Sequence, residues 1–288
     1  MAVILVTGAS GQLGSELKIS SKNYLGYEFI FTDLDKLDIT DEIAVNNFVK
    51  LNNPDWIINC AAYNLVDKAE SDYENAVRIN GLAVKNLAES IKGTESKLIH
   101  ISTDYVFDGT SNIPYDENSV VNPQSAYGRS KLEGERFALL HNGTMLIRTS
   151  WLYSSFGNNF VKTILRHGKE KESLKVVFDQ VGTPTYAADL ADAILLVISK
   201  VIRNQIAFNA GIYHYSNEGV CSWYDFATEI IQESRLKCKV NPILTKDFPS
   251  ATKRPFYSVL DKSKIKENYG IEIPHWRISL KKCLRLFL

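Results

Sequence analysis

A tyrosine and a lysine lie four residues apart in the stretch SAYGRSKLEGE, residues 125–135. The stretch has a helical pattern, and positions i and i+4 of an α-helix share one face, with Cβ atoms about 5–6 Å apart. Tyr127 and Lys131 should therefore point the same way. A phenol can donate a proton, and a lysine cation beside it can lower the pKa of the phenol. The same spacing also occurs in a solvated helix stripe, so the surrounding elements decide between the two.

A glycine-rich turn follows the first predicted strand, in the stretch VTGASGQLG at residues 6–14. Glycines allow a tight turn and a close approach of the backbone to a pyrophosphate, which the free N–H groups and the helix dipole attract. The spacing GxxGxxG differs from the commoner GxGxxG, and an ordinary strand-to-helix turn is the alternative. The residues predicted to bind a dinucleotide cofactor here are Gly8, Gly11, Gln12, Leu13 and Gly14.

An acidic residue, Asp33, follows the second predicted strand. A carboxylate there can accept hydrogen bonds from the adenosine ribose and would repel a 2′-phosphate. No arginine follows in the next turn, so we predict NADH as the cofactor, with NADPH possible. Asp35 is close enough to compete for this role. The stretch LDIT, residues 37–40, has the length to bring Asp38 and Ile39 beside the adenine.

Small and polar residues follow the third and fourth predicted strands. Small side chains at a strand end leave room for a flat cofactor, although core packing would use them too. A Thr-Asp-Tyr sequence after the fourth strand should emerge at the same edge of the sheet, although it could merely cap a loop. The residues predicted at this edge are Ala61, Ala62, Tyr63, Thr103, Asp104 and Tyr105.

Short apolar runs alternate with helical stretches through the first half of the chain. The predicted strands are residues 3–7, 29–32, 56–61, 97–103 and 144–150. Near-continuous apolar strands that alternate with helices indicate parallel βαβ units and a doubly wound α/β sheet, the Rossmann fold. After residue 150 the pattern becomes irregular, which predicts a smaller C-terminal lobe.

The same pattern predicts how the chain is divided. Residues 1–150 should form an NAD(P)-binding domain, with residues 186–212 returning to it. Residues 151–185 and 213–288 should form a substrate-binding lobe, and a ligand should bind in the crevice between the two.

Composition narrows the class of protein. The 288 residues include 33 basic and 33 acidic side chains, a balance that argues against nucleic-acid or membrane partners bound through bulk charge. No apolar stretch reaches about 18 residues, so we expect a cytoplasmic protein without a membrane helix. The four cysteines lack CxxC spacing and the five histidines are scattered, so neither disulfides nor a metal site are predicted.

The residues at the predicted sheet edge suit the reduction of a carbonyl group. A nicotinamide would supply a hydride to the carbon, and Tyr127 would donate a proton to the oxygen. Lys131 would lower the pKa of the phenol from its ordinary value of about 10 and hold the nicotinamide ribose. The Thr103 hydroxyl would polarise the carbonyl oxygen.

The order of four features resembles that of the short-chain dehydrogenase/reductase superfamily. They are the glycine turn, Asp33 after the second strand, Thr103 at the end of the fourth strand, and the YxxxK motif of Tyr127 and Lys131. Within this superfamily, the chain is similar over nearly its full length to the dTDP-4-dehydrorhamnose reductase family. The more specific stretches are HISTDYVFDG, IRTSWLYSSFGNNFVKTIL, VFDQVGTPTYAADLAD and KRPFYSVLD. The resemblance implies a nucleotide-sugar substrate and reduction of the C4 ketone of a dTDP-6-deoxy-L-hexos-4-ulose to dTDP-L-rhamnose.

The resemblance also implies a sugar site, and two departures from the family. Its residues would be Thr103, Asp104, Tyr105, Trp151, Asn159 and Arg254. Some relatives dimerise through magnesium held by acidic side chains; Glu16 fits one such position, but Ala188 stands where another acid is expected. We therefore predict no metal, and leave monomer and homodimer open. A lysine that some relatives carry in the glycine turn is absent, which again favours NADH.

Other functions on the same fold remain open. A 4,6-dehydratase needs an extra acid beside the strand-four threonine, where this chain has Tyr105. A non-catalytic regulatory subunit would usually have lost the tyrosine or the lysine, and both are intact. A related 4-ketoreductase or epimerase that forms another sugar epimer has no distinguishing residue in the sequence.

Overall fold

The computed structural model describes residues 1–249 and 251–287. The strands are β1 (Ala2–Thr7), β2 (Tyr27–Phe31), β3 (Trp56–Asn59), β4 (Lys97–Thr103), β5 (Thr144–Thr149), β6 (Leu152–Tyr153), β7 (Ser173–Val177), β8 (Val181–Gly182), β9 (Thr185–Tyr186), β10 (Gly211–His214), β11 (Cys221–Ser222) and β12 (Lys239–Ile243). The helices are α1 (Gln12–Ser20), α2 (Glu42–Asn52), α3 (Tyr73–Val77), α4 (Ala83–Ser90), α5 (Ala126–Ala138), α6 (Phe160–Glu170), α7 (Ala187–Ile202), α8 (Trp223–Glu233), α9 (Ser263–Tyr269) and α10 (Trp276–Leu284).

Six strands form the central sheet, in the order β10-β5-β4-β3-β1-β2, and neighbouring strands pair in parallel. Strands β3 and β5 are buried along their whole length, as expected where helices cover both faces. Alternate residues of β1 point to opposite faces: Ile4 and Val6 pack toward α1, α7 and α9, and Leu5 packs toward α2, α4 and α5. The predicted doubly wound α/β fold is confirmed.

The helix pair α3 and α4 is joined by one π-helical turn, Arg78–Leu82. Asn80 lies in this turn and bonds to both backbone groups of Tyr63 and to the Ser130 hydroxyl. Gly134 of α5 lies against the Asn80 carbonyl, where an added Cβ would overlap it. The wider turn and the glycine thus let α5 pack closely beside the carboxyl edge of the sheet.

A second core holds the irregular lobe together. Helices α6, α8 and α10 surround Phe226 and Trp276, with short strand pairs β7–β12, β8–β11 and β6–β9 around them. Helix α8 begins with a capping box formed by Ser222 and Asp225.

The second half of the chain contributes to both cores. Helix α7 packs on α1, and β10 pairs with β5 from Gly211 to His214, so residues 213 and 214 lie in the sheet rather than in the predicted lobe of residues 213–288. Helix α9 also packs against the sheet through Ile265 and Tyr269. Residues 250 and 288 of that predicted lobe lie outside the described residues. Within the described part of the chain, no helix is both long and apolar enough to cross a membrane.

Candidate active site

Two adjoining cavities open at the carboxyl edge of the sheet, one of about 400 Å³ and one of about 470 Å³. The first is lined mainly by residues after β2 and β3, and the second reaches from the glycine turn to the loop after β5. Both are lined by Gly11, Cys60, Ala62 and Asn64. Because the lining is shared, the two cavities can receive one elongated ligand.

The glycine turn matches the shape that a dinucleotide needs. Gly8 has φ +66°, and a Cβ there would lie 2.5 Å from the Ala61 backbone nitrogen. A Cβ on Gly14 would overlap the Gly8 carbonyl, so Gly14 serves close packing of the turn. No side chain caps the N-terminus of α1, whose N-cap is Gly11. The uncapped N–H groups beside a cavity fit a pyrophosphate.

Asp33 and Asp38 line the smaller cavity together with Ile39. The Asp33 carboxylate accepts hydrogen bonds from the backbone N–H groups of Ser10 and Leu34, each at 2.9 Å. Burial alone would raise the pKa of Asp33, but these hydrogen bonds outweigh it and hold the pKa below its ordinary value. Hydrogen bonds from Thr40 likewise lower the pKa of Asp38. Both side chains are therefore charged at neutral pH.

Arg78 also lines this cavity, and sequence reasoning missed it. Its guanidinium donates to Thr40 Oγ1 at 2.8 Å and to Asn75 Oδ1. It is the first residue of the π-helical turn after α3, far along the chain from the Asp33 turn, so no local signal placed it there. A cation thus lies in the cavity, although no arginine follows Asp33 in the next turn of the sequence.

Residues 61–64 follow β3 along the floor of the two cavities. Ala61 and Ala62 line the smaller one, and the Ala61 N–H donates to Asn59 Oδ1 at 3.1 Å. The Tyr63 side chain is buried and its hydroxyl donates to Asp72 at 2.9 Å, away from the glycine turn. Asn64, which the sequence did not single out, lies 3.5 Å from the Tyr127 hydroxyl through its Oδ1.

Thr103 and Asp104 lie together in the larger cavity, where β4 ends. The Thr103 hydroxyl donates to Asp104 Oδ1 at 3.0 Å. Burial raises the pKa of Asp104 to about 7, against hydrogen bonds that favour the carboxylate. Its other oxygen, Oδ2, is buried and has no hydrogen-bond partner within the described residues. Tyr105 packs edge-on against the Tyr127 ring with 5.5 Å between centroids.

Tyr127 and Lys131 both line the larger cavity from α5, and within the described residues no hydrogen bond joins the phenol to the ammonium. Lys131 Nζ donates to the Ile101 carbonyl at 2.7 Å, and burial lowers the pKa of the ammonium to about 8. Burial raises the pKa of Tyr127 well above its ordinary value, with the Thr103 hydroxyl opposing the shift. This is the opposite of the lowered pKa that the spacing predicted, because the phenol is desolvated and the lysine is bonded elsewhere.

Two tryptophans stack at the boundary of the lobes. Trp151 follows β5 and lines the larger cavity, and its ring stacks on Trp223, the first residue of α8. Sequence reasoning missed Trp223, because its position directly after Ser222 marks only the start of a helix.

The remaining predicted substrate residues, Asn159 and Arg254, do not line the larger cavity, but each lies beside a residue that does. Arg254 lines a small adjoining pocket with Tyr105 and forms an ion pair with Asp67 at 3.1 Å. Asn159 caps α6 through its Oδ1, and its amide nitrogen donates to Gln12 Oε1 at 2.9 Å. Within residues 1–249 and 251–287, no group of three or more His, Cys, Asp or Glu side chains could hold a metal ion.

The parallel sheet and its glycine turn have the fold of the short-chain dehydrogenases/reductases. A dTDP-glucose 4,6-dehydratase with NAD from Bacillus anthracis shares this fold with a TM-score of 0.83 at 18% identity. The chain belongs to the family described as RmlD substrate binding domain, whose model matches residues 1–288. The resemblance found in the sequence is thereby confirmed.

The relatives match across almost the whole chain. A dTDP-4-dehydrorhamnose reductase from Aggregatibacter actinomycetemcomitans is 41% identical over 288 residues, with 98% of each chain covered. A crystal structure of a dTDP-4-dehydrorhamnose reductase from Clostridium acetobutylicum has a TM-score of 0.93 at 46% identity and covers 99% of each chain. Another, from Bacillus anthracis in complex with NADP, has a TM-score of 0.92 at 40% identity, covering 99% of this chain and 100% of that one.

Proposed function

We propose that the protein reduces the C4 ketone of dTDP-4-dehydro-L-rhamnose with a nicotinamide dinucleotide and forms dTDP-L-rhamnose. Full-length relatives that bear the name dTDP-4-dehydrorhamnose reductase support this substrate. One observation carries the proposal: Thr103, Tyr127 and Lys131 line a single cavity with Gly11 of the glycine turn. Carbonyl reduction needs hydroxyl donors beside the dinucleotide cofactor, and this cavity brings the Thr103 and Tyr127 hydroxyls together with the glycine turn.

The nicotinamide ring supplies a hydride to C4 when it is bound. Tyr127 donates the proton to the C4 oxygen, since its raised pKa keeps the phenol protonated at neutral pH. The Thr103 hydroxyl, which bonds to Asp104 in the free protein, turns its proton toward the same oxygen. Two donors aimed at one oxygen stabilise the negative charge that develops there, and removing one such donor typically costs about 10²–10³-fold in rate.

Lys131, which lines the larger cavity from α5, would hold the nicotinamide ribose through its ammonium group. The backbone at Gly8, Gly11, Gln12 and Leu13, which line the two cavities, would hold the diphosphate of the cofactor. In the substrate pocket, Trp151 packs on the sugar and Asp104, Tyr105, Asn159 and Arg254 supply polar contacts. Arg254 suits a diphosphate because its planar fork can bond two oxygens.

NADH is the preferred cofactor in this proposal, and NADPH is accepted. The charged Asp33 bonds the ribose hydroxyls and repels a 2′-phosphate. Arg78 in the same cavity offers that phosphate a cation, which explains how both cofactors can bind. Asp38, Ile39, Ala61, Ala62 and Tyr63 surround or support the adenine end.

The sugar nucleotide is the proposed partner, with no nucleic acid, membrane or metal involved, and the protein acts as a monomer or homodimer. A cytoplasmic location accords with the four cysteines, all of which are free. Tyr105 in place of an acid argues against dehydration, since burial raises the pKa of its phenol to about 12.

The test is to supply the 4-keto-6-deoxy-L-hexose nucleotide with NADH or NADPH, follow the loss of cofactor absorbance, and identify the sugar by NMR. The proposal requires dTDP-L-rhamnose as the product. A C4 epimer of it would point to a different ketoreductase, and bound cofactor without turnover would point to a regulatory subunit.

A further inference from the structure

A buried group of charged and polar side chains lies beneath the larger cavity. Lys131, Glu135, Arg148 and Ser102 are each 3% exposed or less. Glu135 accepts hydrogen bonds from Ser102 Oγ at 2.6 Å and from Arg148 through Nε at 2.9 Å and a terminal nitrogen at 2.7 Å. Removing so many charges from water is unfavourable unless each is paired, and replacing such a pair with apolar residues is often neutral or stabilising. Fold stability alone therefore gives no strong reason for the group.

The position of Glu135 relates it to the candidate site. It lies one helical turn after Lys131, so the two side chains share one face of α5. Consecutive residues of β4 contact both of them: the Ile101 carbonyl accepts from Lys131 Nζ, and Ser102 donates to Glu135. The next residue, Thr103, is the predicted carbonyl-polarising hydroxyl. Strand β4 and helix α5 thus connect Glu135 to both Lys131 and Thr103, two residues predicted to take part in the reduction.

The other titratable groups near the Lys131 ammonium offer it little negative charge. Burial lowers the pKa of His100 on β4 well below its ordinary value, so the ring is neutral. Burial raises the pKa of the Cys60 thiol after β3 to about 12, and the Tyr127 phenol is also protonated. Asp104 in the turn after β4 has a pKa of about 7 and is only partly ionised.

Glu135 remains as a fully buried carboxylate whose charge favours the ammonium form. Its attraction raises the pKa of Lys131, against the burial that lowers it to about 8. Arg148, on β5, is the further cation of the network, and its two hydrogen bonds fix the Glu135 carboxylate in place. Without Glu135, the lysine would face the unpaired Arg148 cation.

We infer that Glu135 is a positioning residue of the reduction site, whose carboxylate, held by Arg148 and Ser102, keeps the Lys131 side chain charged and available to the cofactor ribose. This inference rests on the proposed function, because it concerns the same lysine. Glu135 does not line the larger cavity, so we place it out of contact with the substrate and the cofactor. It acts on the reduction through Lys131.

The test measures NADH affinity by fluorescence between about pH 6 and pH 9.5, for the full chain and for Glu135→Gln. A charged Lys131 donates to the ribose, so affinity should fall as pH rises through the pKa of this lysine. In Glu135→Gln the midpoint of that fall should move to lower pH by at least about one unit, as expected for loss of a close charge. At pH 8, affinity should drop about fivefold or more relative to the parent protein, since the charged fraction of Lys131 falls from about one half to about one tenth.

Two variants serve as controls. Glu133→Gln makes the same chemical change on the same helix, but residues i and i+2 do not share a face. Its profile should match that of the parent. Glu135→Asp keeps the negative charge and should restore the midpoint toward the parent value even if the network is weakened.

Loss of Glu135 alone leaves Arg148 buried and unpaired, so that variant could fail to fold. The double variant Glu135→Gln with Arg148→Met removes both charges and should fold. Its midpoint should still move to lower pH, by less than in the single variant, since the nearer carboxylate is lost with the farther cation. A folded single or double variant with the parent's midpoint overturns the inference. Failure of the proposed function would show separately, as bound NADH without turnover of the ketosugar in the parent protein.

Discussion

The indole rings of Trp151 and Trp223 stack with 3.5 Å between their centroids and 8° between their planes. Trp151 has φ +47°, in the left-handed region that bulky residues rarely adopt. An added Cβ on Gly182 would lie 2.7 Å from the indole of Trp151, so the ring is confined on this side as well. The stack therefore fixes the orientation of a ring at the edge of the larger cavity.

Trp223→Ala should raise KM for the sugar nucleotide about two- to tenfold, because an aromatic pair contributes about 0.5–1.5 kcal/mol beyond its burial. The turnover number should change less, since Trp223 is remote from the reacting atoms. Trp223→Phe keeps a ring and should retain most of the affinity. Steady-state kinetics of the two variants provide the measurement. An unaltered KM in folded Trp223→Ala would refute the inference that Trp223 orients the Trp151 ring for the sugar.

Tyr127→Phe and Lys131→Met should impair the protein in different ways. Removing the phenol hydroxyl should lower kcat by about 10²–10⁴-fold, the usual contribution of general-acid catalysis, with NADH affinity nearly unchanged. Removing the ammonium should weaken NADH binding as well. The double variant should lose less than the product of the two effects, because the groups act as one unit. Wild-type turnover in Tyr127→Phe would exclude this tyrosine as the proton donor.

Much of the fold follows from local patterns. Strand β4 matches the predicted residues 97–103, because apolar runs and the breakers that flank them are sequence-local. The strand predicted at residues 56–61 ends two residues earlier, at Asn59, where the chain turns to line the cavities. The pairing of β10 with β5 depends on contacts far apart in sequence, which no local pattern indicates.

The candidate site was predictable where one motif supplies several residues, as in the glycine turn. Arg78, Trp223 and Glu135 were missed because each reaches the site from an element whose neighbours only the fold determines. The pKa direction of Tyr127 was also missed. Spacing on a helix shows which side chains share a face, but it does not show that the phenol is desolvated or that the lysine bonds to Ile101.

Cofactor choice should respond to both Asp33 and Arg78. Asp33→Ala removes the charge that repels a 2′-phosphate, so the ratio of kcat/KM for NADH over NADPH should fall. Arg78→Ala removes the cation from the same cavity and should raise this ratio by weakening NADPH. The two ratios, measured at one ionic strength, provide the comparison. If the parent protein uses NADH and NADPH equally well and neither substitution changes the ratio, then neither Asp33 nor Arg78 determines cofactor choice.

Asp104 should make stability depend on pH between about 4 and 7. Its folded-state pKa of about 7 lies above the ordinary value of 3.8, so its contribution is fully present below about pH 4 and is lost as pH rises through 7. Asp104→Asn should remove this dependence. Between pH 4 and pH 8 the free energy of unfolding of the parent protein should fall, through this group, by up to about 4 kcal/mol, and that of the variant should not. Denaturant unfolding of both proteins at the two pH values measures the difference. Parallel stability curves for the two proteins would mean that Asp104 titrates normally.

Deuterium transfer tests the central claim most directly. The protein is mixed with the 4-keto-6-deoxy-L-hexose nucleotide and NADH deuterated at the transferable nicotinamide position, and the product sugar is analysed by NMR. We predict dTDP-L-rhamnose with deuterium at C4, about one atom for each cofactor oxidised, and far slower labelling in Tyr127→Phe. A sugar without deuterium at C4, or a cofactor that binds and stays reduced, would contradict the assignment of this site to ketone reduction.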